Sequence, residues 1–147
     1  MTYLPDVNIW IALTIAEHVQ HRAAIEWMEA AASDTIAFCR VTQMGFLRLL
    51  TNARVMGGDV YTASQAWNLV ARIRQDDRVI FASEPPALEQ AWRKMTAAHK
   101  TGANFWTDTY LAAFGQSTEY TLVTFDRGFA KHKKLSMRIL GRADTLS

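Results

Sequence analysis

The sequence predicts an α/β fold, in which a central, mostly parallel sheet of four to five strands lies between two layers of helices. Short apolar stretches alternate along the chain with longer segments whose apolar residues recur at helical spacing. Strands and helices in alternation require right-handed crossovers, which make a sheet parallel and cover both of its faces. In addition, Asp6, Asp108 and Asp126 each stand where a short apolar stretch meets a turn or the start of a helix.

The first half of the chain is predicted to contain a strand, two helices, a strand and a third helix, over residues 2–7, 8–16, 21–32, 35–39 and 42–50. In the first of these helices Ile9, Leu13 and Ala16 recur at helical spacing. Thr42 is expected to cap the third, because a threonine side chain can accept a hydrogen bond from the free N–H groups of the first turn. The pair Gly57-Gly58 predicts a loop over residues 52–59.

The second half is predicted to contain helices, strands and one loop, over residues 62–74 (helix), 79–82 (strand), 86–99 (helix), 100–104 (loop), a helix containing Asp108, and 121–124 and 137–140 (strands). Thr62 is expected to open the first of these helices. Pro85-Pro86 marks the start of the next, because proline suits the first turn of a helix. Glu84 is expected to cap that helix rather than to serve as a distant fourth acid.

The three aspartates predict a metal site. In an open parallel sheet the ligand crevice lies beyond the carboxyl ends of the strands, so Asp6, Asp108 and Asp126 are expected to converge there. Clustered carboxylates repel and raise each other's pKa unless a cation neutralises them. Oxygen ligands select hard ions, which favours Mg²⁺ or Mn²⁺ over zinc. Such ions commonly serve phosphodiester cleavage, because they activate water and neutralise the developing charge.

Each aspartate also has a purely local interpretation, because Asp is a common helix cap. Their shared setting favours the metal site, with Asp6, Asp108 and Asp126 as both ligands and catalytic residues. Asn8 and Thr124 each stand two residues from one of these acids and are candidates to orient a carboxylate or a water. An Asx turn for Asn8 and ordinary strand propensity for Thr124 explain them equally well.

The chain carries four segments, Asp6-Val7-Asn8, 45–52, 107–113 and 122–129, whose order and spacing resemble the PIN-domain ribonucleases and, among them, the VapC-type toxins of toxin–antitoxin pairs. The resemblance covers nearly the whole chain and implies one PIN-like three-layer α/β/α domain over residues 1–147. It implies an endoribonuclease in which Mg²⁺ or Mn²⁺ is held by the three aspartates. It also implies that the substrate is structured cellular RNA, that the protein is a homodimer, and that a small cognate antitoxin neutralises it.

Gly45 departs from the family pattern. Many members carry a glutamate just before the Phe46-Leu47-Arg48 run, so the usual set of four acids is reduced here to three. If Gly45 only enlarges the pocket, Gly45→Glu is expected to strengthen metal binding, because it restores an acid near a helix N-terminus that favours negative charge.

Length and composition indicate one globular domain, since 147 residues of which half are hydrophobic suffice for a single core. The formal net charge of +2 does not by itself indicate nucleic-acid binding. Near the C-terminus, however, basic residues gather close to Asp126 and form either a rim for a polyanionic substrate or a solvated face: Lys131, Lys133, Lys134, Arg138 and Arg142.

Cys39 is expected to be a small buried core residue. No secretory signal and no apolar run of transmembrane length is visible, so the protein is predicted to be cytoplasmic and without a membrane partner. Five tryptophans is a high number for a chain of this length and is compatible with a partner-binding groove.

The sequence leaves two other functions open besides a metal-dependent endoribonuclease. A catalytically weak RNA-binding or regulatory domain is suggested by Gly45 at the position of the family glutamate. An acidic-pocket phosphatase is less favoured, because it requires a second aspartate two residues after the first, where this chain has Asn8. Metal binding measured together with nuclease activity separates these possibilities.

Overall fold

The computed structural model describes residues 1–98 and 101–141, as five strands, seven α-helices and two 3-10 helices. The strands are β1 (Thr2–Pro5), β2 (Thr35–Phe38), β3 (Val79–Phe81), β4 (Thr121–Thr124) and β5 (Met137–Ile139). The helices are α1 (Val7–Thr14), α2 (His21–Ala30), α3 (Arg40–Leu50), α4 (Ala53–Met56), α5 (Ala63–Arg74), α6 (Leu88–Thr96) and α7 (Phe105–Gln116). The 3-10 helices are Gly57–Asp59 and Arg127–Lys131. No helix in these ranges has the length and apolar character of a membrane span.

The five strands form one parallel sheet in the order β3-β2-β1-β4-β5, with β1 at its centre. Leu4 of β1 lies opposite Leu122 of β4. Because all strands are parallel, their carboxyl ends meet at one edge of the sheet. The prediction of a PIN-like α/β/α fold with a parallel sheet of four to five strands is confirmed.

Two hydrophobic cores cover the two faces of the sheet. Alternate side chains along each strand point to opposite faces, so Tyr3 enters one core and Leu4 the other. The first core packs the sheet against α1, α2, α3 and α5. The second packs it against α6 and α7 and contains Cys39, which is buried as predicted.

The first strand and helix are both shorter than predicted. The predicted strand over 2–7 ends at Pro5, and α1 begins at Val7 rather than at residue 8. The reason is Asp6, whose backbone is extended and whose carboxylate accepts a hydrogen bond from the N–H of Ile9. This interaction fixes the first turn of the helix directly after the strand.

The start of α3 was predicted wrongly. Cys39 is the N-cap, and Thr42 lies three residues inside the helix. The Thr42 hydroxyl accepts a hydrogen bond from the backbone N–H of Cys39 at 3.0 Å and donates to the Cys39 carbonyl at 2.9 Å. Thr42 therefore supplies an acceptor for the free backbone N–H of the N-cap residue, although it stands at the third position of the helix. The side chain at this position has the same role in a capping box.

The predicted loop over 52–59 is also wrong, because these residues form α4 and the 3-10 helix Gly57–Asp59. Asn52 caps α4 by accepting the N–H of Arg54. Thr62 does open α5, as predicted, in a reciprocal capping box with Gln65 at 3.1 and 2.9 Å.

The helix predicted to start at Pro86 begins at Leu88, and its N-cap is Ala87. Glu84 therefore does not cap it. Its carboxylate instead accepts a hydrogen bond from the hydroxyl of Tyr110 at 2.7 Å, which joins the segment before α6 to α7. The C-terminal end of the predicted helix, residue 99, lies outside the described residues.

Candidate functional site

The three aspartates stand at the starts of helices. Asp6 caps α1 immediately after β1, and Asp126 caps the 3-10 helix Arg127–Lys131 just after β4. Asp108 lies in the first turn of α7. Because β1 and β4 are neighbours in the sheet, Asp6 and Asp126 follow adjacent parallel strands and lie at the same edge.

The Asp6 carboxylate is held by two hydrogen bonds. One oxygen accepts the backbone N–H of Ile9 at 3.2 Å, and the other accepts the hydroxyl of Thr124. The Thr124 hydroxyl also accepts the backbone N–H of Asp126, at 3.0 Å. Thr124 is fully buried and links the segments that carry two of the three acids, although 118 residues separate it from Asp6.

A recess of about 320 Å³ opens between α1, α3 and α7. Its polar lining comes from two carboxylates, two amides, one guanidinium and one hydroxyl: Asp6, Asp108, Asn8, Asn104, Arg48 and Thr107. Gly45 and apolar side chains such as Val41 and Leu111 complete it. The amides and the guanidinium give this recess hydrogen-bond donors beside the carboxylates, which is a lining suited to phosphate oxygens. We refer to it below as the main recess.

A smaller recess of about 80 Å³ shares Asp108 with the main recess. Asp108, Asp126 and Lys131 supply its charged side chains, and it is called the side recess below. Over the part of the chain that the structure describes, no three Asp, Glu, His or Cys side chains are placed to hold one metal ion. The three aspartates thus form two pairs that share Asp108.

Burial, and after it the charge of one neighbouring aspartate, raise the pKa of each acid of the main recess. Burial raises the pKa of Asp6 to about 6, although the hydrogen bonds from Thr124 and the backbone oppose the rise; the charge of Asp108 adds to it. Burial and then the charge of Asp126 raise the pKa of Asp108 to about 6, against a smaller opposite effect of Lys131. The acids are therefore costly to ionise in this protein without a cation.

The main recess fits a hard divalent ion. Asp6 is only 6% exposed, and within residues 1–98 and 101–141 neither Asp6 nor Asp108 forms a salt bridge. Mg²⁺ is commonly bound by one or two carboxylates with several waters retained, which is the donor set that Asp6 and Asp108 offer. The amide of Asn8, which is exposed in the same recess, can orient such a water.

Comparison with known proteins shows the family of this chain. The model of the PIN domain matches residues 3–135. The chain belongs to the PIN-domain family. It is 39% identical to Ribonuclease VapC41 of Mycobacterium tuberculosis, over 95% of this chain and 99% of the relative. It is 38% identical to Ribonuclease VapC29 of the same organism, over 88% of this chain and 90% of the relative.

Solved structures show the same PIN-domain architecture. VapBC2 from Rickettsia felis, bound to a DNA fragment from its promoter, aligns with a TM-score of 0.68 and 15% identity, over 96% of this chain and 100% of that chain. VapC20 of Mycobacterium tuberculosis, a Sarcin-Ricin loop cleaving toxin, aligns with a TM-score of 0.65 and 21% identity, over 89% and 94%. At these identities the likeness concerns the fold.

Asn104 and Arg48 line the main recess of this PIN domain, although the sequence did not single them out as site residues. Lys131, which the sequence named as part of a candidate basic rim, lines the side recess. Asn104 lies four residues before Asp108, a spacing that puts both on one side of a helix start. Lys131, Lys133, Lys134 and Arg138 of the predicted basic rim are exposed, whereas Arg142 lies outside the described residues.

Gly45 of the PIN domain faces the main recess but also lies against α1. A Cβ added to Gly45 would stand 2.6 Å from Cγ2 of Val7, closer than packed carbons approach. Gly45 therefore permits close packing of α3 on α1. This contact changes the expectation for Gly45→Glu, since the new side chain must displace Val7 before its carboxylate can reach the metal site.

Gly45→Ala is expected to destabilise the protein by about 1–2 kcal/mol, because overpacking outweighs the helix propensity that alanine gains. In a Val7→Ala background the same substitution is expected to be neutral or stabilising. Urea denaturation of the four proteins in this cycle measures the coupling. Gly45→Glu is likewise expected to raise the Mn²⁺ affinity only in the Val7→Ala background. If the effects of the substitutions at positions 7 and 45 simply add, in both stability and Mn²⁺ affinity, then Val7 does not restrict the side chain at position 45.

Proposed function

We propose that this PIN domain, spanning residues 1–147, is a divalent-metal-dependent endoribonuclease and the toxin of a VapC-type toxin–antitoxin pair, with structured cellular RNA as its substrate. The observation that carries the proposal is the pair of carboxylates Asp6 and Asp108, which face one open recess beyond the carboxyl end of β1. Relatives that align over most of the chain are ribonucleases by name, which supports RNA as the substrate.

The residues of the site have distinct roles in this proposal. Asp6 and Asp108 hold Mg²⁺ or Mn²⁺. Asp126, which the sequence predicts as a third ligand, lines only the side recess, and its role in this proposal is to add negative charge beside Asp108. When bound, the ion supplies polarisation of the phosphodiester and activation of the attacking water. Thr124 fixes the orientation of Asp6, and Asn8 orients a water in the main recess. Arg48 offers its guanidinium to a phosphate oxygen of the RNA.

Removal of metal with a chelator is expected to abolish RNA cleavage, and Mg²⁺ or Mn²⁺ is expected to restore it. Protons compete with the metal for Asp6 and Asp108, whose pKa is raised to about 6. The Mn²⁺ concentration that gives half of the maximal rate should therefore rise as the pH is lowered from about 7.5 to about 5.5. Cleavage of a structured RNA, measured against metal concentration at each pH, tests both statements. RNA binding without cleavage at every metal concentration would favour the catalytically weak RNA-binding domain instead.

An apolar groove supports the proposed antitoxin partner. It has a volume of about 310 Å³, lies between α1, α2 and α5, and is lined by apolar side chains that include Trp10, Ile25, Met28 and Leu69. Trp10 is 1% exposed, and its indole N–H has no acceptor among the described residues. Because that N–H is buried in the first core, the apolar side chains of the groove, and not this donor, are what a partner contacts.

In this proposal an apolar helix of a small cognate antitoxin binds the groove, as amphipathic helices do when they bury an apolar face. The groove lies along α1, the helix that Asp6 caps, so a segment continuing along α1 leads to the acids. An arginine at that point would pair with the carboxylates and displace the metal. Two structural neighbours, VapBC2 and VapBC-1, carry in their names both halves of a toxin–antitoxin pair.

Self-association and cellular location complete the proposal. Met44, Val55 and Trp67 are exposed apolar side chains on α3, α4 and α5, and α3 contacts both of the other helices. Apolar surface of this kind supports a homodimer. The described residues contain no helix that could span a membrane, and we propose that the protein acts in the cytoplasm.

A further inference from the structure

Lys131 occupies the side recess with two of the three acids. It is the last residue of the 3-10 helix Arg127–Lys131, which Asp126 caps by accepting the N–H of Gly128 at 2.8 Å. Phe129 of the same helix is 3% exposed and anchors it in the second core. The backbone that carries Lys131 is therefore fixed relative to Asp126.

The ammonium of Lys131 lies near Asp108 but forms no ion pair with it. Lys131 lines the side recess together with Asp108 and Asp126, so its side chain lies at the same opening as both acids. Yet no carboxylate among the described residues lies within 4.0 Å of that ammonium, and the side chain is exposed. Lys131 is thus near the acids and still available to bind an anion that enters from solvent.

The three carboxylates of the two recesses and an incoming phosphodiester together carry more negative charge than one divalent ion neutralises. Asp6, Asp108 and Asp126 carry three negative charges when ionised, and Gly45 adds none where a fourth acid is common in the family. One divalent ion neutralises two of them, and the guanidinium of Arg48 in the main recess balances the third. The incoming phosphodiester adds a further negative charge, which the acids repel unless another cation is present.

We propose that Lys131 is a catalytic residue whose ammonium binds a non-bridging oxygen of the scissile phosphodiester from the side recess, in the place that a second divalent ion would otherwise take. The proposal rests on the proposed ribonuclease function and deepens it, because it assigns one metal ion per protomer. A lysine at this position suits the task, since its ammonium is a compact charge with three donors. A fixed positive charge next to the phosphate stabilises the charge that develops in the transition state.

The test compares wild type with Lys131→Ala and Lys131→Arg, and uses Lys94→Ala as the matched control. Lys94 is an exposed lysine of α6 that lines neither recess. Single-turnover cleavage of a structured RNA at saturating Mg²⁺ is expected to fall about a hundredfold in Lys131→Ala. It should recover in part in Lys131→Arg, which keeps the charge, and stay at the wild-type rate in Lys94→Ala.

Mn²⁺ titration without RNA supplies an independent readout. Lys131→Ala removes a positive charge that repels the metal, so Mn²⁺ is expected to bind severalfold more tightly than in wild type, with one ion per protomer in both. A residue with only a structural role would not tighten metal binding while slowing cleavage. Binding of the same RNA in the presence of a chelator is expected to weaken in Lys131→Ala and not in Lys94→Ala.

Wild-type cleavage by Lys131→Ala would overturn the proposal, as would a stoichiometry of two Mn²⁺ ions per protomer in the wild-type protein. If wild type cleaves no RNA, the proposed function fails by itself. The Mn²⁺ and RNA titrations then test whether the Lys131 ammonium lies beside the metal and the RNA. Unchanged affinities in Lys131→Ala would reject this placement. Tighter Mn²⁺ binding together with weaker RNA binding would support it.

Discussion

Asp108→Asn is expected to reduce RNA cleavage by at least about a thousandfold, because Asp108 is the one acid that faces both recesses. The substitution keeps the shape of the side chain and removes a ligand charge. Single-turnover cleavage at saturating Mg²⁺, with Asp59→Asn as an exposed control in the 3-10 helix Gly57–Asp59, measures the effect. Equal rates for Asp108→Asn and wild type would contradict the site assignment.

The same variant is expected to be more stable than wild type when metal is absent. The pKa of Asp108 is raised to about 6 in the folded protein, so the carboxyl favours folding below its ordinary pKa of 3.8 and this contribution is lost as the pH rises through about 6. At about pH 7.5 the charged form destabilises the fold, whereas an amide does not. The gain in Tm for Asp108→Asn over wild type in the presence of a chelator should therefore be larger at about pH 7.5 than at about pH 4.5.

A gain in stability together with a loss of activity would identify Asp108 as a functional group that the fold holds at a cost. Asp6 is a poorer choice for this comparison. Its carboxylate also caps α1 and accepts the Thr124 hydroxyl, so Asp6→Asn changes the fold and the site at once.

Ile25→Glu is expected to weaken binding of the proposed antitoxin, sought as a small protein encoded in the neighbouring reading frame, by at least about a hundredfold, while ribonuclease activity is retained. Ile25 lines the apolar groove from α2 and is half-buried, so a glutamate there places a charge against the apolar face of the partner helix. Glu29→Gln, an exposed change on the same helix, is the control. Binding is measured by titration of the purified neighbouring protein into each variant.

Toxicity gives a second readout of the same variant. Expression of the wild-type chain alone is expected to arrest growth, and co-expression of the neighbouring protein is expected to relieve the arrest. Ile25→Glu should remain toxic in both conditions, since it cleaves RNA but no longer binds the partner. Full neutralisation of a toxic Ile25→Glu protein would show that the partner does not use the groove between α1, α2 and α5.

Much of the fold was predictable because its signals are local. The threonine at 62 and the glutamine three residues later open α5 through hydrogen bonds between residues that are neighbours in the chain, and β4 covers the predicted residues 121–124. Errors occurred where one local signal had two possible registers. Thr42 satisfies the end of α3 from inside the helix rather than from the cap, and propensity alone does not distinguish these positions.

By itself, the sequence determined the parallel α/β fold and the location of the three acids at the starts of helices. Hydrophobic periodicity and the turn after each strand depend only on residues that are close together in the chain. Only the tertiary structure decided how those acids are grouped. It placed Asp108 between two recesses, brought Thr124 to Asp6 across 118 residues, and packed Val7 against Gly45. These contacts join segments far apart in the chain, and their distances depend on how helices pack on the sheet, which no local pattern specifies.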